Sequence, residues 1–149
     1  CTMPNKKHLL VLCLFFSLTN LVAQEWLTDF TAAKKLAAVD SKPIILVFQG
    51  SDWCAPCIKL DRDIWQSEAF KKYAAQHYVM LLADFPRKKK NALSDAQTTA
   101  NALLAEAYNP KGNFPLVVVL DAAGKVLGKT GYKKTSPEKY IASLNTFIQ

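Results

Sequence analysis

Glycine and proline are scarce, five and seven in 149 residues, which excludes a fibrous or low-complexity chain. Half of the residues are apolar and only 21% are charged, so disorder is excluded as well. Histidine and methionine number two each, too few for a metal-carrying surface. There is no internal repeat and no linker, and no apolar run reaches the ~20 residues that a membrane span needs. One domain of this length can bury a sizeable core without disulfide staples. What remains to be explained is four cysteines and an excess of base, 19 Lys+Arg against 12 Asp+Glu.

The first 23 residues account for part of both. Lys6-Lys7-His8 precede the apolar run Leu9 to Phe16, and Leu21-Val22-Ala23 then lead to Gln24-Glu25. A basic start, a short apolar stretch and a small residue before polar ones is the layout of a secretory signal peptide. The alternatives are an uncleaved anchor or a buried N-terminal helix. Lipid attachment at Cys13 is disfavoured by Leu12, which stands where a small residue is needed. Cys1 and Thr2 precede Met3, the expected initiator, and are read as foreign or upstream residues. The expectation is therefore a signal at 1–23 and a domain at 24–149, exported to the periplasm or secreted, with no membrane segment after cleavage. That domain keeps 17 basic and 12 acidic residues, +5, and two cysteines, Cys54 and Cys57. Two cysteines three apart cannot staple 126 residues, so their spacing points to chemistry.

Trp26, Phe30, Ala33, Leu36 and Ala37 recur at helical spacing, which predicts a helix over 25–39. Ile44 to Phe48, Val79 to Ala83 and Leu116 to Leu120 are unbroken apolar runs, the mark of strands buried on both faces. Helices are expected from Cys54, again from Ser67 to His77, and over 92–108. Lys125 to Thr130 reads as an antiparallel edge strand, and Ser136-Pro137 as the cap and first residue of a last helix. The order α-β-α-β-α-β-β-α implies an α/β domain, a mixed central sheet with helices on both faces.

Ser51-Asp52-Trp53-Cys54-Ala55-Pro56-Cys57 falls where a buried strand ends and a helix begins. Unpaired N–H groups at a helix start stabilise a thiolate, so Cys54 is the candidate nucleophile. Cys57, one turn on, lies within reach of a short disulfide with it. Pro56 suits a first helical turn, and Trp53 would cap the site with an apolar plate. Half of a zinc site is the alternative. It lacks partners, because His77 is the domain's one histidine and is expected at a helix end.

Trp-Cys-Ala-Pro-Cys after a buried strand resembles the Trp-Cys-Gly-Pro-Cys of thioredoxins. Asn113-Phe114-Pro115 before a buried strand, then a hairpin and a final helix, resembles their second signature, and the likeness covers about 25–149. The resemblance implies the thioredoxin fold, a cis Pro115 beside the disulfide, backbone groups of Phe114 offered to a substrate peptide, and Gly131 lining the same groove. It implies thiol–disulfide exchange on protein disulfides, with Cys54 attacking and Cys57 resolving. Ala-Pro between the cysteines is more similar to reducing members than to oxidising ones. The lead-in is most similar to exported bacterial thioredoxin-like proteins. A periplasmic reductant of that kind draws electrons from a membrane thiol-electron transporter. No bound cofactor and no metal is implied, and a monomer is expected.

Two departures stand out. Thioredoxins carry a buried Asp six residues before the first cysteine; here it is Phe48, and the family's neighbouring Lys falls near Met80. Cys57 would then lose its proton through water or another group. Asp52 is close by in sequence but reads as a solvated turn residue. The second departure is the loop Phe85 to Asn91, whose Arg87-Lys88-Lys89-Lys90 should project near Cys54. It reads either as a solvated loop or as an element that steers acidic partners. Nucleic acid is a poor fit, since the charge sits in one loop without interleaved aromatics. The rival functions are a binding module whose disulfide is structural, and a Cu(I) carrier using both sulfurs.

Overall fold

A computed structural model describes residues 24–149, so the expected signal at 1–23 lies outside the described residues. Five strands form one sheet in the order β1-β3-β2-β4-β5. β1 (Trp26–Leu27), β3 (Val79–Asp84) and β2 (Ile44–Gln49) run parallel; β4 (Leu116–Leu120) and β5 (Val126–Thr130) are antiparallel to their neighbours. β2 is central, and its residues Ile44 to Phe48 are at most 1% exposed, as the unbroken apolar run requires. The alternation of the strands divides the core in two. Ile45, Val47, Met80, Val117 and Val119 pack under α2 (Ala55–Leu60), α3 (Glu68–His77) and α5 (Pro137–Asn145). Ile44, Leu46, Phe48, Leu81 and Val118 pack under α1 (Phe30–Asp40) and α4 (Asp95–Tyr108). The expected mixed sheet with helices on both faces is the observed architecture.

The first element among the described residues differs from expectation. Trp26–Leu27 is an edge strand paired with Met80–Leu81, and the helix begins only at Phe30. The Asp29 carboxylate sets that start by accepting from the N–H groups of Thr31 and Ala32. Trp26 therefore meets the core from the sheet edge, its ring 5.9 Å from that of Trp65. Ser94 likewise caps α4 at Asp95 and not at 92. α2 runs on into a π-helical turn, Asp61–Trp65, which carries Ile64 and Trp65 into the core. Among the described residues no helix is long and apolar enough to cross a membrane.

Candidate active site

The parallel strands β2 and β3 end at the same edge, with Gln49 level with Asp84. At that edge the chain turns through Gly50, whose carbonyl accepts from Cys54 N at 2.9 Å. Cys54 is the N-cap of α2 in an extended conformation, and its Sγ accepts from Cys57 N at 3.3 Å. The cap position thus places the sulfur against the first free N–H groups of the helix. Pro56 sits in the first turn, where no N–H is needed. The two sulfurs are joined in a disulfide with the Cα atoms 5.2 Å apart. Both cysteines are nearly covered, Cys54 4% and Cys57 2% exposed.

Trp53 is held from three sides. Its indole Nε1 donates to the Phe85 carbonyl at 2.7 Å. Its ring meets that of Phe114 edge-on at 5.5 Å, and the Arg87 guanidinium lies 3.7 Å from its centroid. Phe85 closes the group with its own edge contact to Phe114 at 5.5 Å. The Phe114–Pro115 bond is cis. The turn before it is braced by buried Asn109, which donates to the Asn113 carbonyl and accepts from Asn113 N. Gly131 lies against Pro115, since a Cβ on it would stand 3.3 Å from the Pro115 carbonyl. Its own carbonyl accepts from the buried Tyr140 hydroxyl at 2.8 Å. Burial pushes that phenol's pKa up. The structure therefore brings Trp53 to Phe114 and Gly131 to Pro115. His77 stands apart at the end of α3, stacked on Tyr73.

One expectation is extended and one corrected. Asp52 lies in the expected turn at the surface, but its side chain is engaged there. Its carboxylate accepts from Arg87 N at 2.9 Å, Lys88 N at 3.0 Å and Asn91 Nδ2 at 3.0 Å, fastening the basic loop beside the cysteines. Those bonds, the Arg87 amide first, hold its pKa down at about 2. Met80 does not neighbour Phe48, because the two point to opposite faces of the sheet. Phe48 is level with Ala83 and Leu116, so its surroundings in the sheet are apolar all the same. Met80 itself is core. Among the described residues no group of three or more His, Cys, Asp or Glu side chains is arranged to hold a metal.

Sequence reasoning missed Phe85, Asn109, Tyr140 and the separate part of Arg87. It also missed Asp84, whose carboxylate accepts from Ser51 N, Ser51 Oγ and Phe85 N. The level ends of β2 and β3 were the available signal for Asp84 and Phe85.

Known proteins resemble this chain in sequence and fold. The thioredoxin-like family matches residues 25–122. The disulfide bond reductase DsbH of Chlamydia pneumoniae is 38% identical over 121 residues, 81% of this chain and 71% of that protein. A solved structure of a DsbH oxidoreductase superposes with a TM-score of 0.77 at 35% identity, covering 83% of each chain. A thioredoxin from Thermus thermophilus shares the fold at 14% identity, with a TM-score of 0.61 and 83% and 86% of the two chains covered. On the family match and the first of these relatives, the chain belongs to the thioredoxin-like family and is a thiol–disulfide oxidoreductase.

Proposed function

We propose that this protein reduces disulfide bonds of other proteins in an exported compartment, with Cys54 as the nucleophile and Cys57 as the resolving thiol. The observation that carries the assignment of roles is the N–H of Cys57 pointing at Cys54 Sγ at the cap of α2. That donor and the helix start favour the thiolate of Cys54 once the pair is reduced. The Cys54 thiolate attacks one substrate sulfur, and the other leaves as a thiolate that takes up a proton. Cys57, deprotonated, then attacks Cys54 Sγ, releases the second substrate thiol and restores the observed disulfide. Two electrons pass from the protein to the substrate.

The reducing direction is supported by the likeness to a protein described as a disulfide bond reductase and by the Ala-Pro pair between the cysteines. Export is supported by the signal-like layout of 1–23. An exported reductase in an oxidising compartment needs a thiol donor, and a membrane thiol-electron transporter is the donor proposed. Reduction of insulin by the reduced protein tests the mechanism, and Cys54→Ala should abolish it. Activity that survives this change refutes both cysteine roles. Equilibration with a dithiothreitol or glutathione buffer tests the direction. A potential near ~−270 mV supports a reductase, and one near ~−120 mV an oxidant. Export predicts a mature N-terminus at Gln24, read by mass spectrometry of the secreted or periplasmic product.

A further inference from the structure

The basic loop is built onto the site. Asp52, two residues before Cys54, binds the backbone of Arg87 and Lys88 and the side chain of Asn91. Trp53, the neighbour of Cys54, is bonded to the Phe85 carbonyl and covered by the Arg87 guanidinium. Through these contacts the loop is fixed to the two residues that lead into the nucleophile.

Its charge is only partly offset. Arg87, Lys88, Lys89 and Lys90 are all exposed. Among the described residues none of the four joins an ion pair; the pairs present are Lys42–Asp40 and Arg62–Asp63. Two carboxylates touch the loop. Those of Asp52 and Asp84 are turned towards backbone and side-chain donors and serve as its fastenings. Asp95, the next acidic residue along the chain, opens α4 and pairs with none of the four. The Arg87 guanidinium lies over the Trp53 ring, 3.7 Å from its centroid, and among the described residues its N–H groups have no partner, which leaves them free for a two-pronged contact with a carboxylate.

We propose that this fastened loop selects the substrate: the protein exchanges disulfides flanked by carboxylate side chains, which Arg87 and the Lys88–Lys90 run draw in and hold beside Cys54. The proposal rests on the reading of Cys54–Cys57 as the exchanging pair. It adds to that reading the chemical class of the partner, an acidic polypeptide segment. The redox balance is unchanged, with the dithiol becoming the disulfide as the substrate disulfide becomes two thiols.

The test is a single turnover. The full protein is reduced with excess dithiothreitol, desalted and mixed with one of three disulfide peptides that differ only in flanking Glu, Gln or Lys. Acid-quenched samples are then counted by mass spectrometry. At ~10 mM salt, where screening is weak, the Glu peptide should react about tenfold faster than the Gln peptide, and the Lys peptide slowest. In ~0.5 M salt the Glu-to-Gln ratio should fall to about two or less. The triple change Lys88→Gln, Lys89→Gln, Lys90→Gln should bring the low-salt ratio towards one, and Arg87→Gln should lower it in part. Equal rates for the three peptides at low salt, or a preference that salt leaves intact, overturns the selection while leaving the exchange reading standing. Full preference in the triple variant overturns its assignment to this loop. No reaction with any peptide overturns both readings. The salt series on the unaltered protein stands even if a variant fails to fold.

Discussion

Gly50→Ala is a small change with a traceable effect. Gly50 is buried and carries no left-handed φ, so its requirement is space and not backbone freedom. A Cβ there would stand 2.5 Å from Cζ2 and Nε1 of Trp53, well inside van der Waals contact. The half-buried indole must move away from the new methyl, and three interactions are lost as it does. The bond from Nε1 to the Phe85 carbonyl is worth about 0.5–1.5 kcal/mol. The edge contact with Phe114 adds about 0.5–1.5 kcal/mol, and the Arg87 cation on the ring about 0.5–1 kcal/mol. Against them, alanine restricts the unfolded chain and returns about 0.4–1 kcal/mol. The net expectation is a loss of about 0.5–3.5 kcal/mol in the oxidised protein, measured by urea unfolding. The same substitution on a Trp53→Ala background should cost nothing or stabilise slightly, because the clash partner is gone. A single variant within about 0.5 kcal/mol of the parent, or an equal loss on both backgrounds, would refute the reasoning.

Other expectations follow from single contacts. Cys57→Ser should accumulate the mixed disulfide between Cys54 and substrate, seen as a reducible adduct on a gel, because no second thiol releases it. Tyr140→Phe removes the donor to the Gly131 carbonyl and should cost about 1 kcal/mol in urea unfolding; no loss would mean that the bond is replaced by water. Asp52 titrates at about 2, below its ordinary 3.8, so its fastening is complete above about pH 4 and is lost as pH falls towards 2. The amide resonances of Arg87 and Lys88 should therefore shift together with a midpoint near 2, and a midpoint at the ordinary value would show that the carboxylate does not hold them.

What the sequence revealed depended on how local the cause was. Ile44 to Phe48 and Leu116 to Leu120 read as buried strands because each is a continuous branched apolar run, and burial on both faces needs nothing more. Trp26 misleads because it fits the spacing of the following helix, while a two-residue strand has no period to detect. Phe48 stands where the resemblance to thioredoxins implies a carboxylate, and its neighbour on the next strand is Ala83 and not Met80. A slip of odd number in a strand exchanges the faces, and Met80 is three positions from Ala83. The hold of Asp52 on the loop is not legible because its partners lie 35 to 39 residues away, across a loop whose path the strand lengths do not set. The run Arg87 to Lys90 looks uniform, which hides that its first member is stacked on an indole.

The acidic groups near the site share one pattern. Phe48 stands in the sheet where thioredoxins carry a carboxylate by the resemblance, and its strand neighbours Ala83 and Leu116 are apolar as well. The carboxylates at the sheet edge, Asp52 and Asp84, are instead committed to Ser51 and the loop. The two thiols of the reduced pair are thereby unequal. Both cysteines are nearly covered, but Cys54 has an N–H aimed at its sulfur, whereas among the described residues no donor is aimed at that of Cys57. Attack is favoured over resolution, so the mixed disulfide should persist within a turnover and be caught by rapid acid quench of the unaltered protein. A persistent intermediate makes retention of the substrate matter as much as its capture. The cationic loop is fastened to the two residues ahead of Cys54, where a substrate waiting on that slower step is held.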